Sequence, residues 1–195
     1  MKYRLLMCVL LPAACMAQSR PDLYQCEGCE AILERAASTL SSTAIVASRF
    51  EPGDRLVLAG RVFKPDGKTP AAGVVVYMYH TNAAGVYAAR PGDTGWAQRH
   101  GRLRGWVVSS DSGNYRFDTI RPAPYPGGSD PAHIHLTVKE PNRREYWIDE
   151  VVFTDDPLVT PAFRKREQGR GGNGIITPRR NESGWLVLRD IILER

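Results

Sequence analysis

The sequence predicts a mainly β protein, an antiparallel β-sandwich preceded by a short N-terminal helical segment. Short runs rich in valine, isoleucine and aromatic residues recur from Asp54 to the C-terminus. Turn signals separate these runs, for example Pro65-Asp66-Gly67 and Asp111-Ser112-Gly113. Closely spaced short strands joined by such turns are typical of a sandwich.

Length and charge limit the possible functions. The chain has 195 residues, enough for one domain with a sizeable core. Its 26 lysine and arginine residues exceed its 21 acidic residues, which gives a formal net charge of +5. The basic residues are not concentrated with interleaved aromatic side chains, so we expect no nucleic-acid partner.

Residues 1–17 have the pattern of an export signal. Lys2 and Arg4 form a positive start, residues 5–14 form a short apolar run, and small residues follow up to Ala17. Since the run is too short to span a bilayer, we predict no membrane span, cleavage after Ala17 and an exported protein, periplasmic or extracellular. The alternative is a lipoprotein anchored through Cys15.

Residues 18–53 form an N-terminal segment that contains a Cys-x-x-Cys motif. In an exported protein the default prediction for Cys26 and Cys29 is a disulfide. A zinc site would need a second such pair, and c-type haem attachment would need a histidine directly after Cys29. Residues 30–40 are predicted to form a short helix.

Residues 54–195 are expected to form the sandwich domain. The predicted strands cover residues 55–63, 74–79, 104–109, 115–120, 133–138, 146–153 and 185–193. Residues 91–101 are rich in glycine and charge, which predicts a loop with His100 exposed. Residues 163–181 are basic and glycine-rich. We interpret them as a solvated mobile loop, with a lid over an anionic substrate as the alternative.

Two histidines lie on one face of a predicted strand. Side chains alternate across a strand, so His133 and His135 share a face with Thr137. The intervening residues, Ile134, Leu136 and Val138, then face the core. Two imidazoles on one face form a bidentate clamp suited to zinc, copper, iron or nickel. The alternative is a pair of polar residues on a sheet surface.

Two tyrosines in loops accompany the histidines. Tyr87 closes the motif Asn-Ala-Ala-Gly-x-Tyr at residues 82–87, and Tyr125 lies in Thr-Ile-x-Pro-x-Pro-Tyr-Pro at residues 119–126. The motif Pro-Ala-His-Ile-His follows at residues 131–135. In this order, these three motifs resemble those of the intradiol ring-cleavage dioxygenases, the catechol 1,2- and protocatechuate 3,4-dioxygenase type.

The resemblance implies a non-haem Fe(III) centre held by Tyr87, Tyr125, His133 and His135. It implies O2-dependent cleavage of a catechol to a muconate-type product, with Tyr125 accepting a substrate proton. Zinc sites usually use cysteine, histidine and carboxylate ligands. Free tyrosine has a pKa near 10, so a bound cation must lower that pKa for a phenolate ligand to form. Larger members add a helical dimerisation segment, so this chain has a reduced equivalent and oligomerisation stays open.

Two positions depart from the family pattern. Asp130 stands where arginine is common, and Glu150 aligns with a glutamine near the substrate ring. We expect both residues to bind substrate and to disfavour a carboxylate on the ring, because like charges repel strongly in a low-dielectric site. Arg121, Arg143 or Arg144 would offset this effect by pairing with Asp130. The alternative is that Asp130 caps the turn and faces solvent.

Two other functions fit parts of the sequence. A degenerate dioxygenase fold would keep iron but would have lost ring cleavage or would use an unusual phenol. An exported transthyretin-like module would bind a partner without catalysis. The module explains the strands and the export signal, but it does not explain four metal ligands in family order.

Overall fold

The computed structural model describes residues 21–195, so the predicted export signal and the alternative anchor at Cys15 lie outside the described residues. Two β-sheets pack face to face, which confirms the predicted fold class. Among residues 21–195, no helix has the length and apolar character needed to cross a bilayer.

The strands are short and follow the turn signals of the sequence. Along the chain they are β1 (Thr43–Ile45), β2 (Arg55–Phe63), β3 (Val75–His80), β4 (Arg104–Val108), β5 (Asn114–Ile120), β6 (His133–Lys139), β7 (Tyr146–Phe153), β8 (Ile175–Ile176), β9 (Arg179–Asn181), β10 (Gly184–Leu188) and β11 (Ile191–Ile192). Two α-helices, α1 (Gly95–His100) and α2 (Pro161–Arg164), lie in connections. Between residue 21 and the sandwich there are three 3-10 helices, at Pro21–Tyr24, Cys29–Glu34 and Ala37–Thr39.

The first sheet has the order β1-β5-β2-β10-β9, with β11 also pairing with β2, and the second has the order β4-β3-β6-β7-β8. The pairs β2–β5, β3–β4, β3–β6, β6–β7 and β9–β10 are antiparallel. Parallel pairing occurs where β1 joins β5, β10 and β11 join β2, and β8 joins β7. The sandwich is therefore antiparallel in its central pairs and mixed elsewhere.

The core between the sheets follows the alternation of the strands. Ile134, Leu136 and Val138 of β6 are buried in the main cluster, as the sequence predicted. They pack in one cluster with Leu58 of β2 and Phe117 of β5. Burying each such side chain contributes roughly 1.5–3 kcal/mol, so this face fixes which side of β6 the histidines occupy.

The other face of the second sheet is covered by the N-terminal segment. Ala31 and Ile32 are buried against Val75 and Tyr77 of β3. The short helical segment predicted over residues 30–40 is present, but it consists of two short 3-10 helices, Cys29–Glu34 and Ala37–Thr39, in place of one continuous helix. Arg35 between them is extended, with φ −128° and ψ 130°. A short isolated helix is marginal, so packing across the sheet determines the conformation here.

His100 was predicted to be exposed in a loop, and this prediction is wrong. It ends α1, is only 5% exposed, and its Nδ1 lies 2.8 Å from the Tyr77 hydroxyl oxygen. Its ring stacks on Tyr79, with 3.8 Å between centroids. The glycine and charged residues of 91–101 indicated solvent exposure, which holds for most of α1. The side chain of His100, the last residue of the helix, instead faces the sheet.

The C-terminal segments are held by buried charged groups. The Asp149 carboxylate accepts hydrogen bonds from the backbone N–H groups of Gly169 and Arg170, at 2.6 and 3.1 Å. Arg189 is fully buried and donates to the carbonyl oxygens of Arg170 and Asn173, among others. The middle of the segment 163–181 is therefore anchored to the sheets at residues 169–173, while most side chains of residues 164–168 and 177–181 are solvated, in part as the sequence indicated.

The predicted strand over residues 185–193 is divided into β10 and β11 by Arg189 and Asp190. A Cβ atom on Gly60 would lie 1.9 Å from the Arg189 carbonyl oxygen, so glycine permits the close approach of β2 to this break. The side chain of Asp190 then accepts from the Arg61 N–H at 2.9 Å. The interruption depends on these distant contacts.

His80 should make the stability of the protein depend on pH. Burial lowers the pKa of His80 from its ordinary 6.5 to about 4. As pH falls below 6.5, the unfolded chain takes up this proton first, so stability is lost between pH 6.5 and 4. We expect about 2 kcal/mol of loss between pH 7 and 5 from this residue. In urea unfolding, His80→Gln should show a correspondingly smaller loss, and equal losses would contradict the assignment.

Candidate metal and substrate site

The two histidines project from the beginning of β6, on the face opposite the core. His135 pairs in register with Tyr79 of β3, and His133 pairs with Val152 of β7. The Tyr79 ring stacks against the His135 ring, with centroids 4.4 Å apart. Since β3 and β7 flank β6, the backbone under the two histidines is fixed on both sides.

Two loops bring Tyr87 and Tyr125 to these histidines. Gly85 has φ +77°, and a Cβ atom there would lie 2.1 Å from the Pro124 carbonyl oxygen. Gly101 also leaves no room for a side chain, because a Cβ atom added there would lie 2.8 Å from the Tyr87 carbonyl carbon. Glycine at both positions lets the Tyr87 loop lie directly against the Tyr125 turn.

Four donor atoms form a closed ring. The hydroxyl oxygens of Tyr87 and Tyr125 are 2.6 Å apart. The Tyr125 oxygen is 3.0 Å from His133 Nε2, and the Tyr87 oxygen is 2.8 Å from His135 Nε2. The two Nε2 atoms are 3.1 Å apart. Metal bonds of about 2.0–2.2 Å place adjacent ligands about 3 Å apart, so the spacing suits one ion.

The other nitrogen of each imidazole has its own acceptor. His133 Nδ1 donates to the Pro131 carbonyl oxygen at 2.7 Å, and His135 Nδ1 donates to Glu150 at 2.8 Å. Because Nδ1 carries the proton in both neutral rings, both Nε2 lone pairs face the ring of donors. The site then places two imidazole lone pairs and two phenol oxygens around one point.

Burial favours the neutral forms of Tyr87, Tyr125 and His133 when no cation is bound. Burial raises the pKa of Tyr87 far above its usual range, and the hydrogen bond with Tyr125 raises it further. Burial also raises the pKa of Tyr125 and lowers that of His133. In this state each phenol can donate to one Nε2 atom, so a cation must displace both phenol protons. This donor set fits a strongly polarising ion that prefers oxygen, such as Fe(III).

A cavity of about 350 Å³ opens beside the donor ring. Tyr125 lines this cavity, whereas Tyr87 lies behind it, next to Gly101 and Tyr79. The other lining residues come from the histidine turn, β6, β7 and the segment after α2: Asp130, Pro131, His133, His135, Glu150, Val152, Phe163, Arg166 and Glu167. A cavity of about 150 Å³ holds benzene, so this one has room for a substituted ring.

Asp130 and Glu150 both line the cavity, and Asp130 is also exposed to solvent, in line with the alternative for this residue. The expected partners of Asp130 bind elsewhere. Arg121 pairs with Asp155 at 2.6 Å, and Arg143 pairs with Glu140 at 2.9 Å. Arg144 lies over the ring of Tyr24. The possible compensation of Asp130 by these arginines is therefore wrong, and Arg166 is the cation that lines the same cavity.

The sequence did not identify Phe163, Arg166 and Glu167 as site residues. Phe163 is buried in a small cluster with Val152 and Val159, which places the following residues beside the cavity. Their only sequence signal was the alternative of a lid in residues 163–181. That hypothesis rested on composition, which cannot specify which side chains face the site.

The Cys-x-x-Cys motif lies on the opposite side of His135. The sulfur atoms of Cys26 and Cys29 are bonded, with their Cα atoms 5.7 Å apart. Cys26 lines a second cavity of about 350 Å³, together with Tyr79, Trp147 and Glu150. The disulfide-bonded turn thus lines a cavity that His135 also borders, while the first cavity gives access to the donor ring.

Comparison with known proteins gives the family of the chain. A family model described as a dioxygenase matches residues 30–170. The chain is 31% identical over 144 residues to catechol 1,2-dioxygenase 1 of Acinetobacter lwoffii, which covers 60% of this chain and 45% of that protein. It is 30% identical over 125 residues to the protocatechuate 3,4-dioxygenase beta chain of Burkholderia cepacia, which covers 57% and 51%. The chain belongs to the intradiol ring-cleavage dioxygenase family, whose members use non-haem iron.

Solved structures are similar at the level of the fold. Catechol 1,2-dioxygenase from Acinetobacter sp. ADP1 aligns with a TM-score of 0.61 and 22% identity, over 80% of this chain and 57% of that one. The dioxygenase domain of a carbohydrate-binding fusion from Streptomyces sp. SirexAA-E has a TM-score of 0.59 and 24% identity, over 77% and 86%. The chain spans about half the length of the curated relatives that it matches.

Iron loading should release protons from the two phenols. We expect about two protons per bound Fe(III) in the parent protein, because both tyrosines must ionise, and one fewer in Tyr87→Phe. Tyr79→Phe is the matched control, since Tyr79 stacks on His135 outside the donor ring. A weakly buffered solution with an indicator dye and the same ferric chelate for all proteins measures the difference. Equal release by Tyr87→Phe and the parent would contradict the ligand assignment.

Proposed function

We propose that the protein is a non-haem Fe(III) intradiol dioxygenase. It would cleave a catechol-type ring between the two hydroxyl-bearing carbons, incorporate both atoms of O2 and give a muconate-type product. The observation that carries this proposal is the ring of Tyr87, Tyr125, His133 and His135 donor atoms beside a cavity of suitable size. Membership in the intradiol family supports it.

The four residues would hold the ion through two phenolate oxygens and two Nε2 atoms. The chemistry that bound Fe(III) would supply is activation of the electron-rich catechol ring toward O2. The chain itself orients the ligands. The Pro131 carbonyl and the Glu150 carboxylate fix the two imidazole rings, and Tyr79 supports the face of His135.

Tyr125 is the residue that would move a proton. It lines the cavity, and its turn contains Pro124, Pro126 and Gly127 without a strand to hold it. Its oxygen would be placed to accept the proton of a catechol hydroxyl that enters the cavity. Burial keeps the pKa of Tyr125 above its usual range, which makes its phenolate a good proton acceptor.

The charges of the cavity favour an uncharged ring substituent over an anionic one. Asp130, Glu150 and Glu167 supply three carboxylates, against one guanidinium from Arg166. A ring carboxylate would enter a field of its own sign in a partly desolvated space. We therefore propose catechol or a neutral substituted catechol as the substrate, in preference to protocatechuate.

We also propose that the protein functions after export, in the periplasm or outside the cell. The disulfide between Cys26 and Cys29 supports this proposal, because such bonds persist in oxidising compartments. The pattern of residues 1–17 supports it independently at the level of sequence. The proposal is tested by fusing a reporter that is active only after export to the C-terminus of the protein, so that residues 1–17 stay at the start of the fusion; an inactive reporter would contradict export.

The enzymatic proposal is tested with iron-loaded protein, catechol and 18O-labelled O2. We expect a muconate-type product with two labelled oxygen atoms and consumption of one O2 per ring. Tyr125→Phe should bind catechol but lose at least about 100-fold in turnover, the usual contribution of a general base. If Tyr125→Phe turned over catechol at the parent rate, the proton-transfer role would be wrong.

The same experiment distinguishes the other two functions. A wine-red iron protein that binds catechol without forming product would be a degenerate dioxygenase. A protein that stays colourless and iron-free after reconstitution would fit a binding module without catalysis. The colour is informative because it comes from charge transfer between tyrosinate and iron, and so reports the ligands directly.

Substrate preference follows from the charge of Asp130. We expect kcat/KM for catechol to exceed that for protocatechuate in the parent, and Asp130→Arg to raise the protocatechuate value by roughly tenfold or more. Asp130→Asn is the matched control that removes the charge without adding a cation, and it should give a smaller gain. A parent that prefers protocatechuate would refute the proposed role of Asp130.

A further inference from the structure

The two imidazoles of the donor ring differ in the group that holds their second nitrogen. His133 Nδ1 donates to the Pro131 carbonyl, a neutral acceptor, at 2.7 Å. His135 Nδ1 donates to the Glu150 carboxylate, a charged acceptor, at 2.8 Å. Charge-assisted hydrogen bonds are roughly twice as strong as neutral ones, so the two rings experience different environments.

A β-bulge places Glu150 at His135. Between the pairs Ile134–Val151 and Leu136–Ile148, β6 has one residue and β7 has two, Asp149 and Glu150. Ile148 and Val151 both face the core although they are three positions apart, whereas residues on one face of a regular strand are separated by an even number of positions. The extra residue therefore turns Glu150 to the face that carries His135.

Glu150 could also be considered as a metal ligand, since its carboxylate and ligand atoms of His133 and His135 lie within 4.8 Å of one another. The positions of the nitrogens argue against this role. His133 Nδ1 is engaged by Pro131, so an ion shared by both histidines must lie at the Nε2 atoms, which are 3.1 Å apart. Glu150 contacts the opposite, Nδ1 edge of His135.

We propose that Glu150 is a positioning residue that makes His135 the stronger imidazole donor to the iron. The proposal rests on the iron site of the proposed function and adds a role for this chain's own carboxylate. By accepting the Nδ1 proton, the carboxylate fixes the tautomer and the orientation of the ring and shifts electron density toward Nε2. A glutamine at this position would accept the same hydrogen bond without a charge.

The contact of Glu150 with His135 lies at the edge of the ring that faces away from the donor atoms. The carboxylate is 2.8 Å from Nδ1, whereas the donor ring is formed by Nε2 of the same imidazole. Glu150 therefore places a carboxylate at the outer edge of a proposed metal ligand.

Two measurable properties of the iron protein should depend on this contact. A more basic His135 holds the ion more tightly, and loss of such a partner typically costs 10–100-fold in metal affinity. A stronger donor also makes the iron less electron-poor, so that transfer of an electron from tyrosinate to iron needs more energy. The visible absorption maximum of the parent should then lie at shorter wavelength than that of a variant lacking the carboxylate.

The test compares Glu150→Gln with Glu167→Gln. Both variants remove one carboxylate from the cavity lining, but only Glu150 contacts a histidine. Iron affinity is measured by competition with a ferric chelator, and the absorption maximum is recorded on the saturated proteins. We expect Glu150→Gln to bind iron 10–100-fold more weakly and to absorb at longer wavelength. Glu167→Gln should leave both properties close to those of the parent.

Glu150→Asp is the second variant. It keeps the charge but shortens the side chain by one methylene, so it should resemble Glu150→Gln if the contact matters. Parent-like iron affinity and absorption in Glu150→Gln would overturn the proposal. It would also be overturned if Glu167→Gln changed both properties as much as Glu150→Gln does, because the effect would then come from the overall charge of the cavity. A parent that binds no iron would refute the proposed function itself, and a coloured parent with unchanged Glu150 variants would refute this inference alone.

Discussion

The structure of the site depends on one electrostatic constraint, which is that four electron-rich atoms converge on a single point. Such an arrangement is stable only if protons or a cation lie between the donor atoms. In the absence of a cation, the phenol protons of Tyr87 and Tyr125 are the ones available to the Nε2 atoms of His133 and His135. The surrounding fold keeps the donors together, with Gly85 and Gly101 allowing the two tyrosine loops to meet.

The second requirement is a rigid sheet under the histidines. One face of β6 packs in the core of the sandwich, and the other is covered by the N-terminal segment and by aromatic rings from β3. Thr137, two residues after His135, is buried near the sulfur of Cys29. The short segment before the sandwich therefore supports the site face, in a chain that spans about half the length of the curated relatives it matches.

The acidic lining of the cavity combines two effects. Around the proposed ion, the Glu150 carboxylate would act through His135, whose Nδ1 it contacts, and strengthen binding of the metal. Toward the proposed substrate, the lining carboxylates would repel an anionic substituent and leave a neutral ring as the better ligand. The departures at Asp130 and Glu150 would thus change selectivity while the four donor atoms stay in place.

Sequence alone determined the features that depend on local periodicity and on motif order. The alternation in residues 133–138 predicted which side chains of β6 are buried, and the three motifs identified the family and the four proposed ligands, whose donor atoms the fold brings together. Tertiary contacts decided the rest. His100 is buried because a distant aromatic surface receives it, and residues 30–40 avoid an α-helix because they lie across a sheet. Glu150 reaches His135 through a bulge, which is a mismatch between two strands and is therefore absent from the pattern of either strand alone.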